Sequence, residues 1–101
     1  MRKNYQFFVY IMASTSGTLY IGVTSNLMHR VSEHKNEVRE GFTKKYHCKK
    51  LVYFEEYQYI HDAAERETQL KKWRREKKET LIASLNPSWK DLAGDWYESN
   101  C

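Results

Sequence analysis

Alternating apolar positions predict two β-strands near the start of the chain. Residues 5–12 carry apolar or aromatic side chains on both alternating faces, which is typical of a strand covered on both sides. Residues 18–24 repeat the alternation, and the Ser, Thr and Gly residues at positions 14–17 can form a turn between the two segments. We therefore expect a hairpin that brings Tyr10 and Tyr20 to one face of the sheet.

After the predicted hairpin, the apolar positions recur at the spacing of a helix. Ser25 or Asn26 can cap a helix, because its side-chain oxygen can accept a hydrogen bond from an unpaired backbone amide of the first turn. The positions that recur at helical spacing are Leu27, Val31, His34 and Val38. The pattern predicts a helix from about residue 27 to about residue 38, which Gly41 terminates.

The sequence of the second half of the chain predicts one more strand, followed by helical structure. A polar loop at residues 44–47 leads into residues 51–57, which are rich in β-branched and aromatic side chains and therefore predict a strand. The pair His61-Asp62 is expected to cap a second helix. This helix either extends or restarts along the chain, and Pro87 prevents simple continuation. The predicted order is β-β-α-β-α-α.

This order predicts a single domain of the α/β (α+β) class, with a small central three-stranded sheet flanked by helices. We expect its core at residues 5–86 and a C-terminal tail at residues 87–101. A chain of 101 residues with 41% hydrophobic and 15% aromatic content suffices for one small packed domain. Apolar runs such as residues 7–12 are much shorter than the roughly 20 residues that span a bilayer, and no signal-peptide stretch begins the chain. We expect a cytoplasmic protein.

Cysteine count and net charge narrow the function only slightly. Cys48 and Cys101 form no close metal-type pair, and Cys101 is the final residue, so we expect reduced thiols and no disulfide. A net charge of +4 and a pI near 9.1 suit a polyanionic partner. Small proteins without such a partner often have a similar charge. The class of binding partner must therefore be inferred from specific residues and not from the net charge.

Two polar residues on the first helix break the apolar pattern. His34 falls within the apolar stripe and Arg30 lies beside it, so both are expected near the sheet instead of fully in water. A cation at a buried edge needs an anion. One interpretation is structural, with Arg30 paired to Glu55 or Glu56 and His34 at the edge of the core. The other is functional, with both side chains facing a bound anion.

Glu67 is a third polar residue beside an apolar stripe. Its neighbours along the helix face are Ala63 and Leu70, and an unpaired carboxylate in this setting is costly to desolvate. One candidate partner is a divalent cation, because proteins commonly hold Mg²⁺ with only one or two carboxylates. The other is the guanidinium of Arg74 or Arg30.

Basic residues form a run that Trp73 interrupts. The run consists of Lys71, Lys72, Arg74, Arg75, Lys77 and Lys78. Such a run is usually a solvated helix face, and Trp73 is more often a core anchor than a platform for base stacking. The functional alternative is a surface that follows a phosphate backbone, with salt-sensitive and largely sequence-independent binding.

The remaining motifs resemble those of the GIY-YIG nuclease superfamily, especially its small stand-alone bacterial members. The likeness covers about residues 5–86. Tyr20-Ile21-Gly22 matches the second named motif, and Asn26-Leu27 matches the link into the helix with Arg30 and His34. The first motif reads Phe8-Val9-Tyr10, so only its tyrosine is retained.

The resemblance implies a GIY-YIG nuclease-like fold and a role for each matching residue. Glu67 resembles the family's metal-binding glutamate and would hold one Mg²⁺ or Mn²⁺ ion, and Arg30 would bind a phosphate oxygen. A tyrosine would accept a proton from the attacking water. We favour Tyr20 for this role with Tyr10 and His34 in support, although the two tyrosines could exchange roles. The products would carry a 5′-phosphate and a 3′-hydroxyl.

The resemblance also implies a nucleic acid, most simply DNA, as the partner. Asn86 resembles the family's late asparagine. Some members have a lysine where this chain has Val23, so a cation that tunes Tyr20 must come from elsewhere. The candidate substrate-binding residues are Lys44, Lys45, Lys71, Lys72, Arg74, Arg75 and Asn86. Two alternatives stay open: a nucleic-acid-binding module without turnover, and an interaction domain whose basic helix docks on an acidic protein.

Overall fold

The computed structural model describes residues 6–38 and 41–97. Tyr5, where the sequence places the start of the first strand, and Cys101 lie outside these residues. Cys48 is a buried free thiol.

Three antiparallel strands form the sheet. They are β1 (Phe7–Ala13), β2 (Leu19–Thr24) and β3 (Lys50–Tyr57), in the spatial order β2-β1-β3. The register places Tyr10 opposite Gly22 and Met12 opposite Tyr20. Because side chains alternate across a strand, Tyr10 and Tyr20 lie on the same face, which confirms the sequence prediction.

Within residues 6–38 and 41–97, four helices accompany the sheet. They are α1 (Leu27–Lys35), α2 (Phe42–Tyr46), α3 (Ile60–Lys72) and α4 (Arg75–Leu85). The predicted order is confirmed, with the short α2 added where the sequence predicted a polar loop. α1 also ends at Lys35, before the predicted boundary. Val38 therefore does not belong to the apolar stripe, and it is 65% exposed.

The start of α3 also differs from the prediction. The helix begins at Ile60 and its N-cap residue is Tyr59, which makes no side-chain capping hydrogen bond. The predicted capping pair His61-Asp62 lies within the first turn instead. Asp62 still suits this position, because a carboxylate near a helix N-terminus interacts favourably with the exposed amides.

The two faces of the sheet bury two separate apolar clusters. Val9 and Ile11 of β1 pack on one face with residues of α3 and α4, such as Leu70 and Ile82. Tyr10 and Met12 pack on the other face with α1 and with residues near the C-terminus. The strict alternation of β1 therefore separates the face that packs on α3 and α4 from the face that carries both tyrosines.

A break at Trp73 and Arg74 separates α3 from α4. Leu70 and Ile82 are both fully buried in the same cluster. On one straight helix they would lie about 18 Å apart along the axis and about 120° apart around it. The break allows both side chains to reach the sheet, and it divides the basic run between two helices.

Residues beyond α4 pack against the face that carries the tyrosines. Asp91 accepts hydrogen bonds from the backbone amides of Leu51 and Ala93, and its carboxylate pairs with Lys35 of α1. The Tyr97 hydroxyl donates to the backbone carbonyl of Met28. These contacts tie both ends of α1 to the C-terminal segment.

The helices of residues 6–38 and 41–97 are all too short and too polar to cross a bilayer. The longest, α3, has 13 residues, whereas a spanning helix needs about 20.

Candidate active site

Three aromatic rings meet on the α1 side of the sheet. The Tyr10 hydroxyl lies 2.8 Å from Nε2 of His34, and the ring centroids of Tyr10 and Tyr20 are 6.3 Å apart. The centroids of Tyr20 and His34 are 5.3 Å apart. Tyr10 and His34 are buried, whereas Tyr20 is only half-buried. Of the two phenols, Tyr20 is therefore the one that a bound molecule can approach.

Gly22 provides the space for the Tyr10 ring. Tyr10 lies opposite Gly22 in the sheet, and a Cβ atom added at Gly22 would lie 2.6 Å from the Tyr10 hydroxyl oxygen. Any side chain at position 22 would therefore displace the phenol from His34. The glycine of the Tyr20-Ile21-Gly22 motif is required here by close packing.

The environment of Tyr10 keeps its phenol protonated. Burial raises the pKa of Tyr10, and the neighbouring Tyr20 and the negative charge of Glu67 raise it further. The positive charge of Arg30 opposes this rise without cancelling it. A buried phenol with a raised pKa is a poor proton acceptor, so Tyr10 is suited to hold His34 by a hydrogen bond.

Arg30 lies one helical turn before His34 on α1. Asn26 caps this helix through its side chain, which accepts a hydrogen bond from the backbone amide of His29. The guanidinium Nε of Arg30 is 3.1 Å from a carboxylate oxygen of Glu33. The guanidinium also interacts with the Tyr10 hydroxyl. Because a guanidinium has five N–H donors, these two contacts leave part of it available for an anionic ligand.

The predicted pairing of Arg30 with Glu55 or Glu56 is wrong. Glu55 lies on the opposite face of the sheet, where Arg66 and two tyrosine hydroxyls occupy its oxygens. Glu56 accepts a hydrogen bond from Gln6. A carboxylate three residues away on the same helix is a closer partner for Arg30 than either residue of β3.

Glu67 lies on α3, the helix that packs against β1 and β2. Its side chain is 24% exposed, and its carboxylate lies 3.3 Å from Nζ of Lys71. The predicted partners Arg74 and Arg30 are therefore replaced by a lysine one turn further along α3. Because the charge of Glu67 contributes to the pKa of Tyr10, the carboxylate is within electrostatic reach of the phenol.

The donor set around Glu67 fits some metals better than others. Within residues 6–38 and 41–97, no three His, Cys, Asp or Glu side chains come together as a metal cage. Structural Zn²⁺ sites need such a set, whereas Mg²⁺ is commonly held by one or two carboxylates together with water and phosphate oxygens. The single carboxylate of Glu67 fits the second kind of site.

Comparison with known proteins identifies the family. Residues 6–80 match the model of the GIY-YIG catalytic domain. The chain belongs to the GIY-YIG family. It is 38% identical over 77 residues to the UPF0213 protein CPE1444 of Clostridium perfringens, an alignment that covers 76% of this chain and 83% of that protein.

Further comparisons agree with this assignment. A UPF0213 protein of Pediococcus pentosaceus is 36% identical over 72 residues, which cover 71% of this chain and 76% of that protein. The solution NMR structure of the UPF0213 protein BH0048 from Bacillus halodurans superposes with a TM-score of 0.55 over 89% of this chain and 97% of that one. At 21% identity, that likeness concerns the fold alone.

The GIY-YIG match ends at residue 80, and Asn86 lies beyond it. Asn86 is 3% exposed, and its amide nitrogen donates to the backbone carbonyls of Val52 and Lys90. Its side-chain oxygen accepts from the amide of Lys90. This asparagine anchors the segment after α4 to β3, so the structure gives no support to its predicted role in substrate binding.

The basic residues of this GIY-YIG chain are dispersed over several elements. Lys71 pairs with Glu67, and Lys72 is exposed at the end of α3. Arg74 occupies the N-cap position of α4. Arg75 pairs with Glu79 and lies 5.9 Å from the centroid of the Trp89 ring.

The remaining cations of interest lie on α2 and beside Trp73. Lys45 is exposed and lies over the ring of Tyr46, while Lys44 is half-buried. Trp73 packs against the structural cluster, and Arg66 and Lys77 both approach its ring. The prediction that Trp73 is a core anchor is thus supported by its packing.

Two partners in the GIY-YIG site were missed in the sequence. Glu33 lies three residues after Arg30, and Lys71 lies four residues after Glu67. Opposite charges at these spacings on one helix face are neighbours, so the helical register already contained both ion pairs.

Proposed function

We propose that this GIY-YIG protein is an endonuclease that requires one Mg²⁺ or Mn²⁺ ion and hydrolyses phosphodiester bonds of DNA with little sequence preference. One observation carries the proposal: the half-buried Tyr20 phenol packs against the Tyr10–His34 pair, with Arg30 and Glu67 within electrostatic reach of the same phenol cluster. A base, a cation and a carboxylate are the groups that metal-assisted phosphodiester hydrolysis requires.

Tyr20 is the proton acceptor in this proposal. Tyr10 is fully buried and its pKa is raised, so it would rarely become a phenolate. Tyr20 lies beside it with greater exposure. A phenolate can accept a proton from the attacking water, and the positive charge of the neighbouring Arg30 guanidinium would favour that form.

Arg30 and Glu67 provide the electrostatic stabilisation of the phosphate in this proposal. The Arg30 guanidinium binds a non-bridging phosphate oxygen and stabilises the negative charge that develops there. Glu67 would hold the divalent ion, whose positive charge would offset negative charge at the phosphate and at the leaving oxygen. Tyr10 positions His34, and the exposed lysines and arginines, including Lys45 and Lys72, attract the phosphate backbone.

A nucleic-acid-binding module without turnover is the second candidate. The ion pair between Glu67 and Lys71 favours it, because a lysine already balances the carboxylate that would hold the metal. We propose the cytoplasm as the location in either case, with DNA repair or processing as the cellular setting of the enzyme.

Incubation of the pure protein with nicked, branched and single-stranded DNA in Mg²⁺ or Mn²⁺ tests the proposal. We expect cleavage that yields 5′-phosphate and 3′-hydroxyl ends and that disappears in Glu67→Gln and with EDTA. The matched control is Glu65→Gln, an exposed carboxylate on the same helix. Binding without cleavage would favour the second candidate, and cleavage that survives in Glu67→Gln would identify a contaminant.

A further inference from the structure

A groove with aromatic walls opens on the sheet face that carries Tyr10 and Tyr20. Its volume is about 400 Å³. The rings of Phe8, Phe54 and Trp96 line it in edge-to-face contact, with centroids 6.3 Å apart for the first pair and 6.1 Å for the second. Met28 completes the wall and is 51% exposed. The groove is therefore an apolar recess whose aromatic walls are partly exposed to solvent.

This groove adjoins the candidate active site. Phe8 is two residues before Tyr10 on the same face of β1, a step of about 7 Å. Leu27, at the base of the groove, is one helical turn before Arg30, a step of about 5 Å along α1. A strand whose phosphate contacts Arg30 would therefore place the neighbouring nucleotide at the mouth of the groove.

We propose that the groove receives one unpaired nucleobase of the strand whose phosphate contacts Arg30. The inference rests on the proposed function, and it specifies single-stranded or branched DNA as the substrate class. Every nucleobase has an aromatic face that stacks on side-chain rings, whereas a base within a duplex has both faces covered by its neighbours. Such a groove selects for unpaired structure and not for sequence.

The hydrogen-bonding groups at the rim of the groove and the charge of its lining are compatible with a bound nucleobase. Ser25 and Asn26 lie at its rim, where their side chains can hydrogen-bond to the edge of a base. Among the described residues that line the groove, none carries a negative charge. A neighbouring carboxylate is that of Glu56, which accepts a hydrogen bond from Gln6 at the rim. A phosphate attached to the bound base would therefore be favoured on the Arg30 side of the groove, one helical turn from Leu27.

Affinity measurements in EDTA test binding independently of cleavage. The probe is labelled single-stranded oligothymidylate, compared with a duplex of the same length. We expect Met28→Glu and Trp96→Leu to weaken single-strand binding about tenfold, the order of one lost stacking contact, and to change duplex binding less than twofold. Met28→Glu is the variant that leaves the core intact, because its side chain is half exposed.

Matched controls separate the groove from general effects of charge and packing. Ile60→Glu makes the same charge change at a residue that is also 51% exposed but lies at the start of α3. Trp89→Leu removes an indole from the opposite side of the sheet. Both controls should bind the oligonucleotide like the wild type. Equal losses in Met28→Glu and Ile60→Glu, or no loss in either, would overturn the proposal.

An abasic-site scan gives a second readout. In the wild type, loss of one base at a single position next to the cleaved phosphate should slow cleavage about tenfold, and this penalty should vanish in Trp96→Leu. If Glu67-dependent cleavage is present but no position shows the penalty, the groove holds another occupant, such as a peptide segment, and the inference alone fails. Absence of cleavage and of binding by the wild type would reject the proposed function together with it.

Discussion

The hydroxyl of Tyr10 and Nε2 of His34 lie 2.8 Å apart in the core and join the middle of β1 to the last turn of α1. Removal of either partner leaves a buried polar group without its hydrogen bond, which typically costs about 1–3 kcal/mol. We expect Tyr10→Phe and His34→Ala each to lower the free energy of unfolding by this amount in urea titrations.

The double variant distinguishes a coupled pair from two independent residues. Because both substitutions remove the same hydrogen bond, Tyr10→Phe combined with His34→Ala should cost less than the sum of the single changes. Strict additivity of the three free energies would contradict a direct contact between these side chains.

Tyr20→Phe should preserve the fold and remove the proposed proton acceptor. We expect the single-turnover cleavage rate to fall about 10²- to 10⁴-fold, the usual contribution of a positioned base, with unchanged DNA affinity. The matched control is Tyr59→Phe, since Tyr59 is 62% exposed, occupies the N-cap position before α3 and has no proposed role. A loss below threefold for Tyr20→Phe would assign the base elsewhere.

Much of this arrangement follows from local sequence patterns. The period of two in β1 and β2 places Tyr10 and Tyr20 on one face, and the cap at Asn26 fixes the start of α1. With that start, helical spacing places Arg30 and His34 on successive turns toward the sheet. These relationships depend only on neighbours within one hairpin and one helix.

Other features depend on contacts that the sequence pattern does not contain. The break at Trp73 has no proline or glycine to mark it, and it is set by the need of Leu70 and Ile82 to reach one apolar cluster. The position of Glu67 near Tyr10 depends on the strand order β2-β1-β3 and on the packing of α3 against β1 and β2. Such long-range geometry becomes visible only in the fold.

Gly22→Ala should disturb the tyrosine cluster directly. The added methyl group would lie 2.6 Å from the Tyr10 hydroxyl oxygen, so the ring must move away from His34. We expect a loss of about 1–3 kcal/mol in the free energy of unfolding, typical of overpacking in a core. In a Tyr10→Leu background, where the ring is absent, the same substitution should cost much less. An equal cost in both backgrounds would place the strain elsewhere.

Lys71→Met should strengthen the proposed binding of a divalent ion. Lys71 pairs with Glu67 at 3.3 Å and would compete with the ion for the same carboxylate. Its removal should lower the Mg²⁺ concentration for half-maximal cleavage severalfold, whereas Lys72→Met, an exposed neighbour, should leave this concentration unchanged. If both variants shift it equally, the effect is a general loss of positive charge and Glu67 is not the ligand.

Glu55 should make the stability of the fold sensitive to acid. Burial acts to raise the pKa of Glu55, but hydrogen bonds from Arg66, Tyr53 and Tyr57 outweigh it and hold the pKa below its ordinary value. A depressed pKa contributes stability that is present above the unfolded value of about 4.3 and is lost as pH falls through the folded value. Urea titrations of the wild type should therefore show a decline in unfolding free energy below about pH 4.

Arg66→Met tests the source of this decline. Without the guanidinium, the pKa of Glu55 should rise toward its unfolded value, so the variant should be less stable at pH 7 and lose less stability between pH 5 and pH 3 than the wild type. The control is Glu56→Gln, at an exposed neighbour on β3. This variant should lose as much unfolding free energy between pH 5 and pH 3 as the wild type. If Arg66→Met loses unfolding free energy in acid as steeply as the wild type, the proton uptake belongs to other carboxylates. Asp91 is one such group, because its pKa is also lowered.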